Sequence, residues 1–373
     1  MKSVAKKQVH PAASAMLILI VLGGVQWIWW RVLVYRRPGG GAGAPPPMAR
    51  MLPSGIRLNG SADITVRTVA GSAEPGSADG PAHSSRLDRP TGIALDPSGN
   101  LYVADTGNNR IRLVTAASET STVAGSDFGY ADGPVAQARF NAPCGVCFAP
   151  DGAVLVADTG NHCIRRIKDG MVTTLVGKPP ASGAQAAGGL GLITGIAVTH
   201  GPSPTLLVTE TVKGVLEEYT LAGAHVRTVP APGGSVAVAA NPIGAAVPML
   251  GDIVAGSNFL RSVPFGATED ASAAQTGRLF VRHPTGITSF RSGWLVTDHD
   301  FGAVVRIANG TARVLSGTVS ADGPVRGNRD GTGATAMFGM LCGVVSDGAH
   351  YVYVADTGNN SIRRLDISEM AAQ

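Results

Sequence analysis

The sequence predicts an all-β fold: a six-bladed β-propeller closed by an N-terminal strand and preceded by one transmembrane helix. Three observations carry this expectation. V-A-D-T-G-N recurs from Val103, Val156 and Val354, each time followed by a short alternating strand, and worn copies start at Val208, Val254 and Val296. A repeat of roughly 40 to 60 residues marks a radial or stacked architecture. The chain holds 50 Gly and 24 Pro with only 15% charged residues, a balance that suits short strands and many turns. An apolar run from Ala15 to Tyr35, interrupted only by Gln26, Arg31 and small residues, is long enough to cross about 30 Å of hydrocarbon as a helix.

Residues 90–125 show one unit. Pro90 to Asp96 reads as a first strand, Pro97 to Asn100 as a turn, and Leu101 to Ala104 as a second strand. Asp105 to Asn109 turns the chain again: Asp and Asn side chains bond nearby amides, while Gly and Asn accept positive φ. Arg110 to Val114 and Thr120 to Ala124 complete four antiparallel strands, a blade that cannot bury both faces alone. First strands align as Thr91-Gly92-Ile93, Cys144-Gly145-Val146, Thr194-Gly195-Ile196, Thr285-Gly286-Ile287 and Cys342-Gly343-Val344, with Gly234-Ser235-Val236 as the weakest. Thr91, Cys144, Thr194, Thr285 and Cys342 are therefore expected at a central channel, each followed by a glycine that lets inner strands approach closely. Ile64 to Ala70 has the pattern of a fourth strand without its blade, and the sixth unit lacks one; pairing the two closes the ring and removes an open edge.

The predicted organisation is a basic tail (1–14), a transmembrane signal-anchor (15–35), a Gly/Pro-rich linker (36–62), the propeller (63–368) and a short tail (369–373). Trp27, Trp29, Trp30 and Tyr35 with Arg36 and Arg37 suit a membrane interface at the end of the apolar run. A cleaved signal peptide and a mitochondrial presequence are the alternatives. A single-pass membrane protein of the secretory pathway or plasma membrane is expected, with a mitochondrial membrane as the other location. Residues 1–57 carry eight of the 30 basic residues and no acid, which leaves 22 basic against 26 acidic residues in the body. An acidic body argues against a nucleic-acid partner. Four cysteines in 373 residues are no disulfide framework.

V-A-D-T-G-N-N-R-I-R, together with V-A-G, an A-D-G turn and A-R-F-N-A-P-C-G-V (Ala138 to Val146), resembles the NHL-repeat family of β-propellers over about residues 64–367. The resemblance implies a six-bladed platform used mostly for binding. It also implies an alternative, since some similar propellers act as lyases or hydrolases on small substrates at an axial metal. An anchor before a propeller is similar in layout to strictosidine-synthase-like membrane proteins, and Thr209-Glu210-Thr211 with Lys213-Gly214 is a short echo of them.

The remaining chemistry favours scaffold over catalysis. Asp105, Asp158, Glu210, Asp298 and Asp356 sit at equivalent turns, and each is expected to cap its own hairpin rather than share an ion. Cys144 and Cys147 form a C-x-x-C inside a strand, without the helix N-terminus a redox pair needs or a second zinc ligand pair, so buried free thiols are expected. Among the histidines only His283, just before Pro284, lies near an inner strand. Arg110, Arg112, Arg165, Arg166, Arg363 and Arg364 fall on third strands, where solvated positions are expected. No catalytic residue and no cofactor set is legible; calcium or zinc belongs only to the enzyme alternative. The long loops Gly71–Arg89, Gly125–Ala142, Gly177–Ile193 and Gly317–Leu341 should emerge on one face, where Phe128, Tyr130, Phe140, Met337 and Phe338 offer apolar handles to a protein partner. Sequons stand at Asn59, Asn309 and Asn359.

Overall fold

The computed structural model describes residues 57–177, 190–230, 235–239, 252–256, 259–263, 283–291, 293–308, 311–320 and 325–369. The expected basic tail, the expected transmembrane segment and residues 36–56 of the expected linker lie outside the described residues. Within those described, no helix is long and apolar enough to cross a membrane.

The four-strand pattern read at residues 90–125 is what forms. Pro90–Leu95, Leu101–Asp105, Arg110–Val114 and Glu119–Ala124 pair in chain order as one antiparallel sheet. Unit two repeats this with Pro143–Phe148, Val154–Asp158, Cys163–Lys168 and Met171–Gly177. Units three and five are four-stranded, from Ile193–Val198 to His225–Pro230 and from Pro284–Phe290 to Thr311–Ser316. The fourth unit is a three-stranded sheet of Ser235–Ala239, Asp252–Gly256 and Phe259–Val263. Among the described residues the architecture is an all-β propeller with five complete blades and this smaller sheet.

The sixth unit supplies three strands, Leu341–Ser346, Tyr351–Asp356 and Ser361–Asp366, and takes Thr65–Gly71 as its fourth, with Val66 opposite Leu365 and Thr68 opposite Arg363. The strand near the N-terminus thus closes the ring, as the sequence pattern required. At the end of the span expected as linker, Arg57–Asn59 is a strand paired with Thr318–Ser320, and the chain continues into the body through Gly60 and Ser61 amides donated to Gly317 and Leu315 carbonyls.

The first strand of each sheet packs against the first strands of its neighbours, and that of unit six meets that of unit one. Only glycine fits where these strands touch: a Cβ on Gly92 would collide with the Cys144 carbonyl oxygen, and one on Gly343 would lie 2.5 Å from that of Thr91. The apolar core lies between sheets. One buried cluster joins Ala104 and Ile111 of unit one to Phe140, Val146 and Val156 of unit two, and another joins Leu101 and Val103 of unit one to Tyr353 and Ile362 of unit six. Each sheet therefore depends on two neighbours for its hydrophobic burial.

Removing Thr65–Gly71 opens both the unit-six sheet and the interface with unit one. Deleting residues 1–71 should therefore lower the thermal midpoint sharply, whereas deleting 1–56 should leave it near that of the full chain. Equal midpoints in a thermal melt would contradict this role for the strand.

Candidate functional site

The repeated turn is the natural place to seek a site, because it concentrates Asp, Asn and Arg at the end of the propeller from which the long loops leave. In unit two the Asp158 carboxylate accepts from the Asn141 amide (2.8 Å), Asn161 Nδ2 (2.8 Å) and the Arg165 guanidinium (2.8 Å). Arg165 also donates to the Arg139 and Ala131 carbonyls and to Asp132 at 2.5 Å. Asp132 in turn accepts the Thr174 amide of the outer strand (3.1 Å). The guanidinium lies 4.6 Å from the Tyr130 ring centre and 5.1 Å from that of Phe140. One buried arginine thus ties together the second strand, third strand, outer strand and the incoming loop.

The same clasp recurs in unit one through Asp105, Arg112 and Asp79, and in unit six through Asp356, Arg363 and Asp330. Each loop aspartate precedes its arginine by 33 residues. Arg112, Arg165 and Arg363 are fully buried, which corrects their expected place at solvated positions. Against expectation, Asp105, Asp158 and Asp356 make no cap bond to the backbone of their own turn; each instead accepts an amide of the preceding loop, from Asp88, Asn141 and Gly339. Burial pushes Asp105, Asp158 and Asp356 upward, and the donated hydrogen bonds and the arginine pull each back.

The rest of the motif links neighbouring sheets. Thr106, Thr159 and Thr357 hydroxyls donate to the Pro143, Ile193 and Pro90 carbonyls at the start of the next inner strand, at 2.7, 2.7 and 2.6 Å. Asn109 and Asn360, with φ of 54° and 50°, turn their side-chain oxygens to the Ala142 and Arg89 amides. Asn359 Nδ2, the atom a glycan would occupy, donates instead to Asp356 and the Gly327 carbonyl.

The structure separates the residues the sequence grouped. Thr91, Cys144, Thr194 and Thr285 are half-buried and Cys342 is buried, all on inner strands. Their polar atoms serve the scaffold: Thr91 Oγ1 donates to the Cys144 carbonyl at 3.0 Å and Thr285 Oγ1 to that of Leu341 at 2.7 Å. All four cysteines are free, and burial raises the thiols of Cys144 and Cys342, the latter to about 12. Of the five apolar loop residues, Phe140 and Phe338 are fully buried beneath Arg165 and Arg363, a correction to their expected surface role. Met337 is half-buried, and Tyr130 covers Arg165 while its hydroxyl meets Thr174 Oγ1 at 2.7 Å. Phe128 alone of the five is an open apolar tip, 64% exposed. Val212, in the unit-three turn, is as prominent at 67% and was not singled out by the sequence; its tip position follows from its place in the worn T-V-K-G copy of the turn.

Units three and five replace the clasp. Glu217 takes the register position of the arginine, opposite Val208, and accepts from His225 Nε2 and Thr228 Oγ1. In unit five Val305 stands there, opposite Val296. His299 replaces the turn threonine, and its Nδ1 donates to the Leu341 carbonyl (3.2 Å), with the His283 ring centre 5.3 Å away. Burial first, and then His283, lowers His299 to about 4. Among the described residues no group of three or more His, Cys, Asp or Glu side chains is placed to hold a metal ion.

Two measurements test these networks. Arg165→Met should destabilise the fold by about 3–5 kcal/mol, because it strands the buried Asp158 and the loop aspartate Asp132. In the Arg165→Met, Asp158→Asn pair the loss should be smaller than the sum of the single changes in denaturant titrations. His299 is held neutral in the fold, whereas the unfolded chain protonates it near 6.5. Its contribution is therefore complete above about pH 6.5 and is lost as pH falls towards 4. His299→Asn should flatten that limb of a stability–pH profile. His283, Asp300 and Arg326 face the ring and remain in that variant.

Comparison with known proteins agrees with this architecture. The family model of the NHL repeat matches residues 87–112 and 140–167. The chain is 37% identical to Teneurin-3 of Danio rerio over 103 residues, covering 23% of this chain and 4% of that protein. It is 38% identical to NHL repeat-containing protein 2 of Gallus gallus over 92 residues, covering 24% and 12%. The chain thus spans a small part of the length of these curated relatives. A Bacteroides thetaiotaomicron protein of unknown function superimposes with a TM-score of 0.61 at 15% identity, covering 82% of this chain and 76% of that one, a likeness of fold alone. The matches fall on two of the three clasped units, so this chain carries NHL repeats.

Proposed function

We propose that this chain is a six-bladed NHL-repeat propeller, anchored in a membrane through residues 15–35, that serves as a non-catalytic platform for protein partners. The inner strand of the three-stranded sheet, Ser235–Ala239, lies between Ile193–Val198 and Pro284–Phe290, which supports counting that sheet as a reduced fourth blade. One observation carries the functional part. The Asp, Asn, Arg and Thr side chains of the strong repeats, which would be the obvious reactive groups, are spent on one another and on backbone carbonyls. What remains for recognition is shape and the side chains that differ between units. The acidic body favours protein over nucleic acid.

The alternative is a lyase or hydrolase working at an axial ion, and activity separates the two. The purified full chain should show no turnover of lactone or ester substrates above background, with or without added calcium or zinc. Photo-cross-linking from the propeller in membranes should yield discrete protein adducts. Saturable turnover abolished by a chelator would overturn the platform reading in favour of the enzyme.

A further inference from the structure

The two most exposed large apolar side chains among the described residues, Phe128 and Val212, lie at the same end of the propeller. Phe128 precedes Gly129, whose carbonyl accepts from Asn161 Nδ2 of the unit-two turn (2.8 Å). Val212 occupies the corresponding unit-three turn, and the neighbouring Thr211 amide donates to the Leu192 carbonyl. The chain enters the body at this end as well. Gly71, Gly125, Gly177 and Gly317 all abut the second turn of their own unit, against the carbonyls of Asn360, Asn109, His162 and Gly302. Arg57–Asn59 pairs with Thr318–Ser320, immediately after Gly317.

We infer that this end of the propeller rests on the lipid bilayer, with Phe128 and Val212 entering the headgroup–acyl boundary. The inference builds on the anchoring reading and adds an orientation to it. Residues 36–56 are all that separates the proposed anchor from Arg57–Asn59, so the end where the chain enters is the one nearest to the lipid along the sequence. Interfacial insertion of aromatic and branched apolar side chains is favourable in proportion to the apolar area buried. Phe128 is held for it in advance, because the Gly129 amide donates to the Phe140 carbonyl (3.0 Å) on the other side of the loop. Lys213, beside Val212, is half exposed while its Nζ meets Glu210 at 2.7 Å, which suits an ammonium beside phosphate headgroups. Met171 and Val226 are less exposed, at 43% and 49%, and begin outer strands at the opposite end, where the chain does not enter. That opposite end, with the exposed turn Asp347 to His350, is left for the partner.

The test uses the full chain reconstituted in phosphatidylcholine–phosphatidylserine vesicles. A nitroxide is attached through Phe128→Cys, Val212→Cys or, at the opposite end, Asp347→Cys, and labelling of the unsubstituted chain gives the background from the native thiols. Oxygen access at positions 128 and 212 should exceed that at 347 severalfold, with access to a water-soluble nickel chelate lowered to a similar degree. Equal access at all three positions, in a chain that resists alkaline carbonate extraction, would overturn this inference and leave the anchor standing. Immobilisation of the label at 128 or 212 without a gain in oxygen access would assign the end to a protein contact and overturn it too. Release of the chain by carbonate would overturn both readings together.

Discussion

The three strong units of this propeller each depend on a buried arginine that holds an incoming loop against the blade it enters. A guanidinium removed from water is costly unless its donors are met, and Arg165 meets them with two carboxylates and two carbonyls. Its flat faces lie against Tyr130 and Phe140, an arrangement open to a planar fork and closed to an ammonium. The bond pattern is directional, so it sets the path of the loop as well as its attachment. The short strand Gly133–Pro134 then pairs with Met171–Val172 and covers the outer edge of the blade.

The second constraint is that no sheet is sufficient alone. Core clusters sit between blades, and the turn threonines and asparagines reach across to the start of the next inner strand. A defect in one unit is therefore felt by two others. Where the clasp is missing, neighbouring chemistry substitutes for it. His299 makes the bond to Leu341 that threonine makes elsewhere, and Glu217 gathers His225 and Thr228 on the outer strand. The worn units are worn in the residues of the clasp, and their strand pairing survives because it rests on alternation and burial.

Strands, turns and ring closure were legible because each is a local property of the chain: period-two alternation, Gly and Asn at turns, and a fourth strand displaced to the N-terminal side. The burial of Arg112, Arg165 and Arg363 was not legible from alternation, which places a polar residue on a third strand towards water. The signal was the constant distance back to an Asp-Gly pair, a relation between two distant positions rather than a pattern within one strand. Phe140 and Phe338 were misplaced for the same reason: an aromatic residue in a long loop reads as a handle until the arginine above it is known. The glycines Gly92, Gly145, Gly286 and Gly343 were read correctly, since close approach of neighbouring inner strands leaves no space for a Cβ.

The clasp also explains how repetition and specificity coexist in one chain. Gly76, Gly129 and Gly327 are fixed identically, each carbonyl accepting from the asparagine of its turn. The residue before each glycine is therefore held at an equivalent station, and the three stations carry Pro75, Phe128 and Arg326. Arg326 is used within the fold, donating to the His299 and Asp300 carbonyls, whereas Phe128 projects outward. Identical backbone anchoring with different side chains lets one position change its chemistry without disturbing the blade. In a scaffold whose repeated carboxylates, asparagines and threonines bond within the fold, such stations are where selection for a contact can act with little cost to the fold.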